Sequence, residues 1–237
     1  NLGLGITTTH STYNQETLES MIDYVVDDLD SVDNIAINLV RGRPKESGAL
    51  AVDMNVYKRA VEKIEGLAVQ KRIRSFSALF GSIAFVKDIL MHRIIARTVE
   101  SGWQIPCLAG QVSLVIDEKT NVYPCEMLPA VGNLRDNNYD MQAILAGTLM
   151  TEATTRIDIE NCFCTHECAY STNVLFAPRL WPAIAWNLVK LHGKRLSGST
   201  RFTLFDDVAI PKSHVPQQYF GQQGELYSGG KTFGKVD

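Results

Sequence analysis

Apolar and polar positions change period several times along the 237-residue chain, and each change marks an element. Residues 2–9 alternate loosely and are rich in Ile and Thr, which predicts a strand ending at the polar cluster His10-Ser11-Thr12. Leu18, Met21, Ile22, Val25, Val26 and Leu29 then recur at three- and four-residue spacing. That period predicts a helix, with Asn14 as its N-cap and Glu16 near its positive N-terminal end. A second strand is predicted over 34–40, closed by Arg41-Gly42-Arg43-Pro44. A strand, a helix and a strand with short joins predict a parallel crossover, the repeating unit of a doubly wound sheet or a TIM-like barrel. Ligands of such sheets gather at the carboxyl ends of the strands, here 8–14 and 38–42.

Helical periodicity returns over 54–70 and 76–100, where Gly66 and Gly81 are the exceptions to an otherwise breaker-poor pattern. The texture changes at Gly102. Val112, Leu114 and Ile116 alternate within 111–117, 118–121 reads as a turn, and Val122-Tyr123-Pro124-Cys125 returns, which predicts a β-hairpin. Further helices are predicted over 139–153 and 182–191, and Ile157-Asp158-Ile159 reads as strand-like. The Gly-, Ser-, Gln- and Lys-rich stretch 193–237 reads as a polar, loosely packed tail. The expected organisation is therefore 1–97, 98–192 and 193–237.

Composition narrows the class. At 45% apolar, 21% charged and 8% aromatic residues, the chain is that of a globular protein rather than a disordered one. A formal charge of -3 offers no global field for nucleic acid or an anionic membrane surface. The most apolar stretches, 76–96 and 174–189, are interrupted by charges and prolines and do not read as membrane spans. The opening residues carry no basic n-region or cleavage pattern, so no export signal is expected and the cytoplasm is the expected compartment. The absence of an initiating Met suggests a piece of a longer chain.

The chemistry concentrates in five cysteines, all between positions 107 and 168. An odd number cannot all pair within one chain, and in a reducing compartment thiols serve as metal ligands. Cys107-x17-Cys125 places two at the foot of the hairpin, and Cys162-x-Cys164-x3-Cys168 forms a tight knuckle. Folding the knuckle onto the hairpin gathers four or five sulfurs around one point. Soft thiolates without paired His select zinc or an iron–sulfur cluster. The dispersed spacing suits a larger cluster better than one small ion, with zinc and free or redox-active thiols as the alternatives. His166, inside the knuckle, could replace one thiolate but reads more simply as a neighbour of the site.

Five stretches in order carry a family resemblance: Pro106-Cys107-Leu108-Ala109-Gly110, Val115-Ile116-Asp117, Val122-Tyr123-Pro124-Cys125-Glu126, Gly132-Asn133-Leu134-Arg135-Asp136, and Cys162-Phe163-Cys164-Thr165-His166-Glu167-Cys168. Together they resemble the SPASM or shorter twitch extension of radical S-adenosylmethionine enzymes. Thr7-Thr8-Thr9, Tyr13-Asn14 and Val40-Arg41-Gly42-Arg43-Pro44 similarly resemble the late strands of the radical SAM barrel. The resemblance implies an α/β chain, the last strands of a partial TIM-like (βα) barrel followed by a small α+β SPASM/twitch domain of hairpin plus helices. Thr120 stands where the family's hairpin usually has Gly.

The C-x3-C-x2-C loop that holds the S-adenosylmethionine-cleaving cluster is not present in this sequence. The resemblance therefore implies a radical enzyme as parent and a chain that is inactive alone, holding one auxiliary [4Fe-4S] cluster. Cys107 and Cys125 are the first expected ligands and Cys164 and Cys168 the next, with Cys162 as the spare, because the knuckle offers three thiols for two places. Thr8, Ser11, Asn38 and Arg41 are expected contacts of S-adenosylmethionine in the full-length parent; a guanidinium suits its carboxylate. The implied partners are a peptide or small-molecule substrate and an electron donor such as flavodoxin or ferredoxin, with neither nucleic acid nor membrane. The rival reading is a non-enzymatic, zinc-stabilised α/β interaction module.

Overall fold

The computed structural model describes residues 4–29, 32–42, 44–73 and 79–197. Leu2, Gly3, Arg43, Phe76 and residues 198–237 of the expected tail lie outside them. The first two strands and their crossover form as their pattern predicts. Strand β1 (Gly5–His10) pairs in parallel with β2 (Asn34–Leu39), and helix α1 (Leu18–Asp27) joins them. Leu18, Ile22 and Val25 of α1 share the buried core with Ile35, Ile37 and Leu39 of β2.

Asn14 does not cap this helix. Thr17 holds the N-cap position without a side-chain bond. Asn14 folds back instead: its Oδ1 accepts from the Ser11 amide at 2.8 Å and its Nδ2 donates to the Thr9 carbonyl at 2.9 Å. Its side chain is thereby committed to the turn leaving β1.

A short 3₁₀ turn (Ser47–Leu50) leads into α2 (Met54–Val69), capped by Asp53, whose carboxylate accepts from the Asn55 amide at 2.8 Å. Helix α3 (Leu79–Ser101) follows. These helices bury Tyr57, Ala60 and Ile64 against Phe85, Ile89, Leu90 and Ile94. Beyond α3 lie three very short strands, β3 (Val115–Ile116), β4 (Asn121–Tyr123) and β5 (Gly132–Asn133), in an antiparallel sheet of that order. The expected strand over 111–117 thus shrinks to two residues, preceded by an isolated bridge between Ala109 and Ser113, and β5 was not foreseen.

One carboxylate organises the hairpin turn. Asp117 accepts from the Lys119 and Asn121 amides at 2.9 and 2.8 Å, from Asn121 Nδ2 at 2.8 Å and from Tyr123 Oη at 2.9 Å. These donors, the Asn121 side chain foremost, hold its carboxyl down at about 2. Thr120 takes a φ of 67°, the left-handed conformation for which glycine is better suited. A β-branched residue pays roughly 1–2 kcal/mol there. Opposing that cost, the Thr120 amide donates to the Asp117 carbonyl and its Oγ1 bonds Asn133 Oδ1, both at 3.0 Å.

The helix expected over 139–153 breaks in two. Asn138 and Tyr139 have positive φ, so α4 (Met141–Leu145) starts only after Asp140, which caps the Ala143 amide at 3.0 Å. Helix α5 (Thr148–Ile159) restarts from Gly147. The strand-like Ile157-Asp158-Ile159 is its last turn, with Ile157 buried and Ile159 exposed, as positions two apart on a helix should be. Apolar alternation over three residues cannot distinguish a strand from a helix end. Helices α6 (Glu167–Leu175) and α7 (Trp181–Ser197) complete the described chain, and α7 carries residues 193–197 of the expected tail in regular structure.

The result is an α/β chain, mostly helical, with two small sheets. Tyr170 and Val174 of α6, Leu180 and Leu191 enter the same core as β2, α2 and α3. Packing is therefore continuous across the expected division at 97/98. The hairpin has a smaller core of its own, Val122, Val131, Ile144 and Met150. Among the described residues, no helix is long and apolar enough to cross a membrane.

Gly110 locks the loop between α3 and the hairpin. Its φ is 78°, and a Cβ there would sit 2.9 Å from Thr154 Cγ2, 3.0 Å from Met150 Sδ and 3.2 Å from Pro124 Cβ. Gly110→Ala is expected to cost about 2–4 kcal/mol from backbone strain and overpacking together. Chemical denaturation of the variant beside the parent measures this.

Candidate metal centre

Four of the five cysteines converge where the hairpin meets the α5–α6 connection. Cys107 follows α3, Cys125 follows β4, and Cys162 and Cys164 lie in the irregular stretch after α5. Cys107, Ala109 and Ile157 form a small buried apolar group on which Cys125, Leu128 and Cys162 pack, and Cys164 lies against the main core. All five cysteines carry free thiols.

The electrostatics tie these four together. The nearby Cys162 thiol, helped by the Ala109 amide and the Asn173 side chain, brings the Cys107 thiol down to about 6 against the opposing effect of burial. The same proximity pushes the Cys162 thiol up, joined by burial and by the charges of Cys107, Cys164 and Cys125. Burial pushes Cys164 up to about 12, opposed by the His166 amide, which donates to its sulfur at 3.4 Å. Burial also raises Cys125, against the opposing influence of the nearby Met127 and Leu128 amides. Of the four sulfurs, that of Cys164 accepts a main-chain N–H, an interaction that favours the thiolate.

Cys168 stands apart. It lies in α6, is exposed, and lines a cleft beside β2. Within the knuckle, Cys162 lies with the converging thiols and Cys168 does not. The reason is local. Asn161 takes a φ of 49° and turns the chain sharply out of α5, which brings Cys162 inward, whereas α6 has already begun by Cys168. Among the described residues, no three or more His, Cys, Asp or Glu side chains are disposed to hold a single metal ion.

A polar chain borders the thiols. Arg41 Nη1 donates to Glu167 Oε2 at 2.8 Å, and Arg41 Nη2 lies 3.2 Å from His166 Nε2. That same nitrogen is 2.6 Å from Glu126 Oε2. Glu167 Oε1 accepts from the Leu39 amide at 2.7 Å. Burial raises the Glu167 carboxyl, while the His166 bond lowers that of Glu126. His166 is buried, and its role is a contact between the knuckle and the hairpin.

The four expected S-adenosylmethionine contacts do not share one face. Thr8 is paired in register with Ile37, on the face that packs against helices, while Asn38 is paired with Thr9 on the opposite face. Ser11 is engaged with Asn14, its amide and its Oγ both donating to Asn14 Oδ1. Arg41 is held by Glu167 and His166. The strand's two-residue alternation puts Thr7 and Thr9 on the face that carries Asn38. Asn173 was not foreseen. Its Oδ1 accepts from the Leu108 amide at 2.9 Å while its side chain bonds Cys107, and nothing in an isolated helical Asn signals that pairing.

No protein-family model, curated protein or solved structure matches this chain.

The thiols give a defined pH response in the metal-free chain. A thiol lowered on folding contributes stability that is present above its unfolded value and lost as pH falls through its folded value. Cys107 should therefore add a rising limb between about pH 6 and 9. Cys125, Cys162 and Cys164 are raised on folding and lower stability once the unfolded thiols ionise, so stability should fall above about pH 9. Thermal unfolding against pH is expected to show both limbs, the rising one reduced in Cys107→Ser. Iodoacetamide labelling of the folded chain, mapped by mass spectrometry, is expected to modify exposed Cys168 well ahead of the others.

Proposed function

We propose that this chain is the C-terminal part of a radical S-adenosylmethionine enzyme and that Cys107, Cys125, Cys162 and Cys164 hold one auxiliary [4Fe-4S] cluster. The cluster assists radical modification of a substrate, a peptide or a small molecule. The observation that carries this reading is the proximity of four thiols from three separate parts of the chain, close enough to shift one another's ionisation. Four sulfurs without a histidine in their midst suit a cubane. Ligands drawn from dispersed parts of the chain suit a larger cluster better than one small ion.

Such a cluster, when bound, supplies one-electron exchange at a potential set by burial and by hydrogen bonds to sulfur. The chain's own residues do the rest. Cys107 is held closest to its thiolate form, and the three raised thiols release protons as they become ligands. Ala109, Leu128 and Ile157 exclude water from one side. Asn173 fixes the Cys107 loop, and Arg41 with Glu167 ties the knuckle to the carboxyl end of β2. In this reading β1 and β2 are the last strands of the partial barrel. S-adenosylmethionine then belongs to the face carrying Thr7, Thr9 and Asn38, and an electron donor such as flavodoxin or ferredoxin serves the parent.

Anaerobic reconstitution is expected to give about four irons with matching sulfide per chain. Cys168→Ala should retain them, while Cys107→Ala, Cys125→Ala, Cys162→Ala and Cys164→Ala each lose them. The chain alone should release no 5′-deoxyadenosine from S-adenosylmethionine. A colourless protein with one tightly bound zinc would overturn the reading.

A further inference from the structure

A second feature lies outside the thiol site: a cavity of about 280 Å³ along the edge of β2 that faces away from β1. The parity of the strand decides what this edge presents. The amides of Asn34 and Val40 donate toward β1, to the Leu4 carbonyl at 3.3 Å and the His10 carbonyl at 2.9 Å. Odd-numbered main-chain groups therefore point the other way. The Leu39 amide does so and is taken by Glu167. Among the described residues no strand pairs with this edge, which leaves the N–H and C=O groups of Ile35 and Ile37 directed toward the cavity.

The walls add both characters that an occupant must match. Val61, Ile64, Phe85 and Ile89 make an apolar side. Asn34 Oδ1 is buried there without a hydrogen-bond partner. His92 also lines the cavity; its Nδ1 lies 2.7 Å from Tyr57 Oη. The cavity thus offers main-chain donors and acceptors at a two-residue repeat, one lone acceptor, an imidazole and an apolar wall. A compact ligand with one polar centre answers only one or two of these. An extended peptide answers the repeat with its own N–H and C=O groups and sends alternate side chains to the wall.

We propose that the free edge of β2 binds an extended segment of a separate polypeptide as an added strand. This surface is independent of what the thiols bind.

The test uses the full chain and amide hydrogen exchange. In the free protein, the Ile35 and Ile37 amides should exchange faster than those of Ala36 and Asn38, which point to β1. Peptides selected from a displayed random library should then slow Ile35 and Ile37 by about tenfold or more. N-methylation of alternate residues in the selected peptide should abolish the effect. Ser171→Trp, which fills the cavity from α6, should weaken binding by about tenfold relative to Ser171→Ala, which loses the same hydrogen bond from Lys87. Three results would overturn the proposal: Ile35 and Ile37 already as protected as their neighbours in the free chain, no peptide enriched over Ser171→Trp, or bound peptides that leave those two amides unaffected.

Discussion

The position of α6 depends on one buried carboxylate. Glu167 accepts from the Leu39 amide, from Arg41 and from its own amide at the first turn of the helix. Burying a charge is costly unless hydrogen bonds answer it, and here three donors and the positive end of a helix do so. Removing one partner would leave the others buried and unpaired. Because Cys164 and His166 immediately precede Glu167, the same bonds that seat the helix also place the knuckle. At the far side of α6, Tyr170 Oη meets Thr98 Oγ1 at 2.8 Å on α3. The helix is thus pinned to a strand at one end and to another helix further along.

The thiol site shows how position rather than residue type assigns chemistry. All five cysteines lie in one stretch of sequence, yet the converging four differ in character. Cys107 is pulled down by Cys162, Ala109 and Asn173, while Cys125, Cys162 and Cys164 are pushed up. Sharing a proton between Cys107 and Cys162 relieves the repulsion that several thiolates at one point would create.

Much of this was legible before the structure. The β1–α1–β2 crossover follows from periods of two and of three to four, and the long helices α2 and α3 from sustained apolar spacing. The hairpin followed from alternation on both sides of a polar turn. What was not legible depends on single backbone conformations. Positive φ at Asn138 and Tyr139 delays α4, Gly147 restarts α5, and Asn161 reverses the chain into the knuckle. Spacing put Cys168 ahead of Cys162, whereas the left-handed Asn161 turns Cys162 inward and Cys168 already lies in α6. The partners of Arg41 are equally hidden, because His166 and Glu167 reach it over long separations in the chain.

The shared core has a consequence for modularity. Tyr170, Val174, Leu180 and Leu191 are buried among side chains from β2, α2 and α3. A segment cut from the chain at 98 would carry all five cysteines but expose these four apolar side chains. The region could not be exchanged between proteins as a self-contained cassette. Any host would have to offer a matching strand end and helix face, so the thiol-bearing part and the parallel sheet are inherited together.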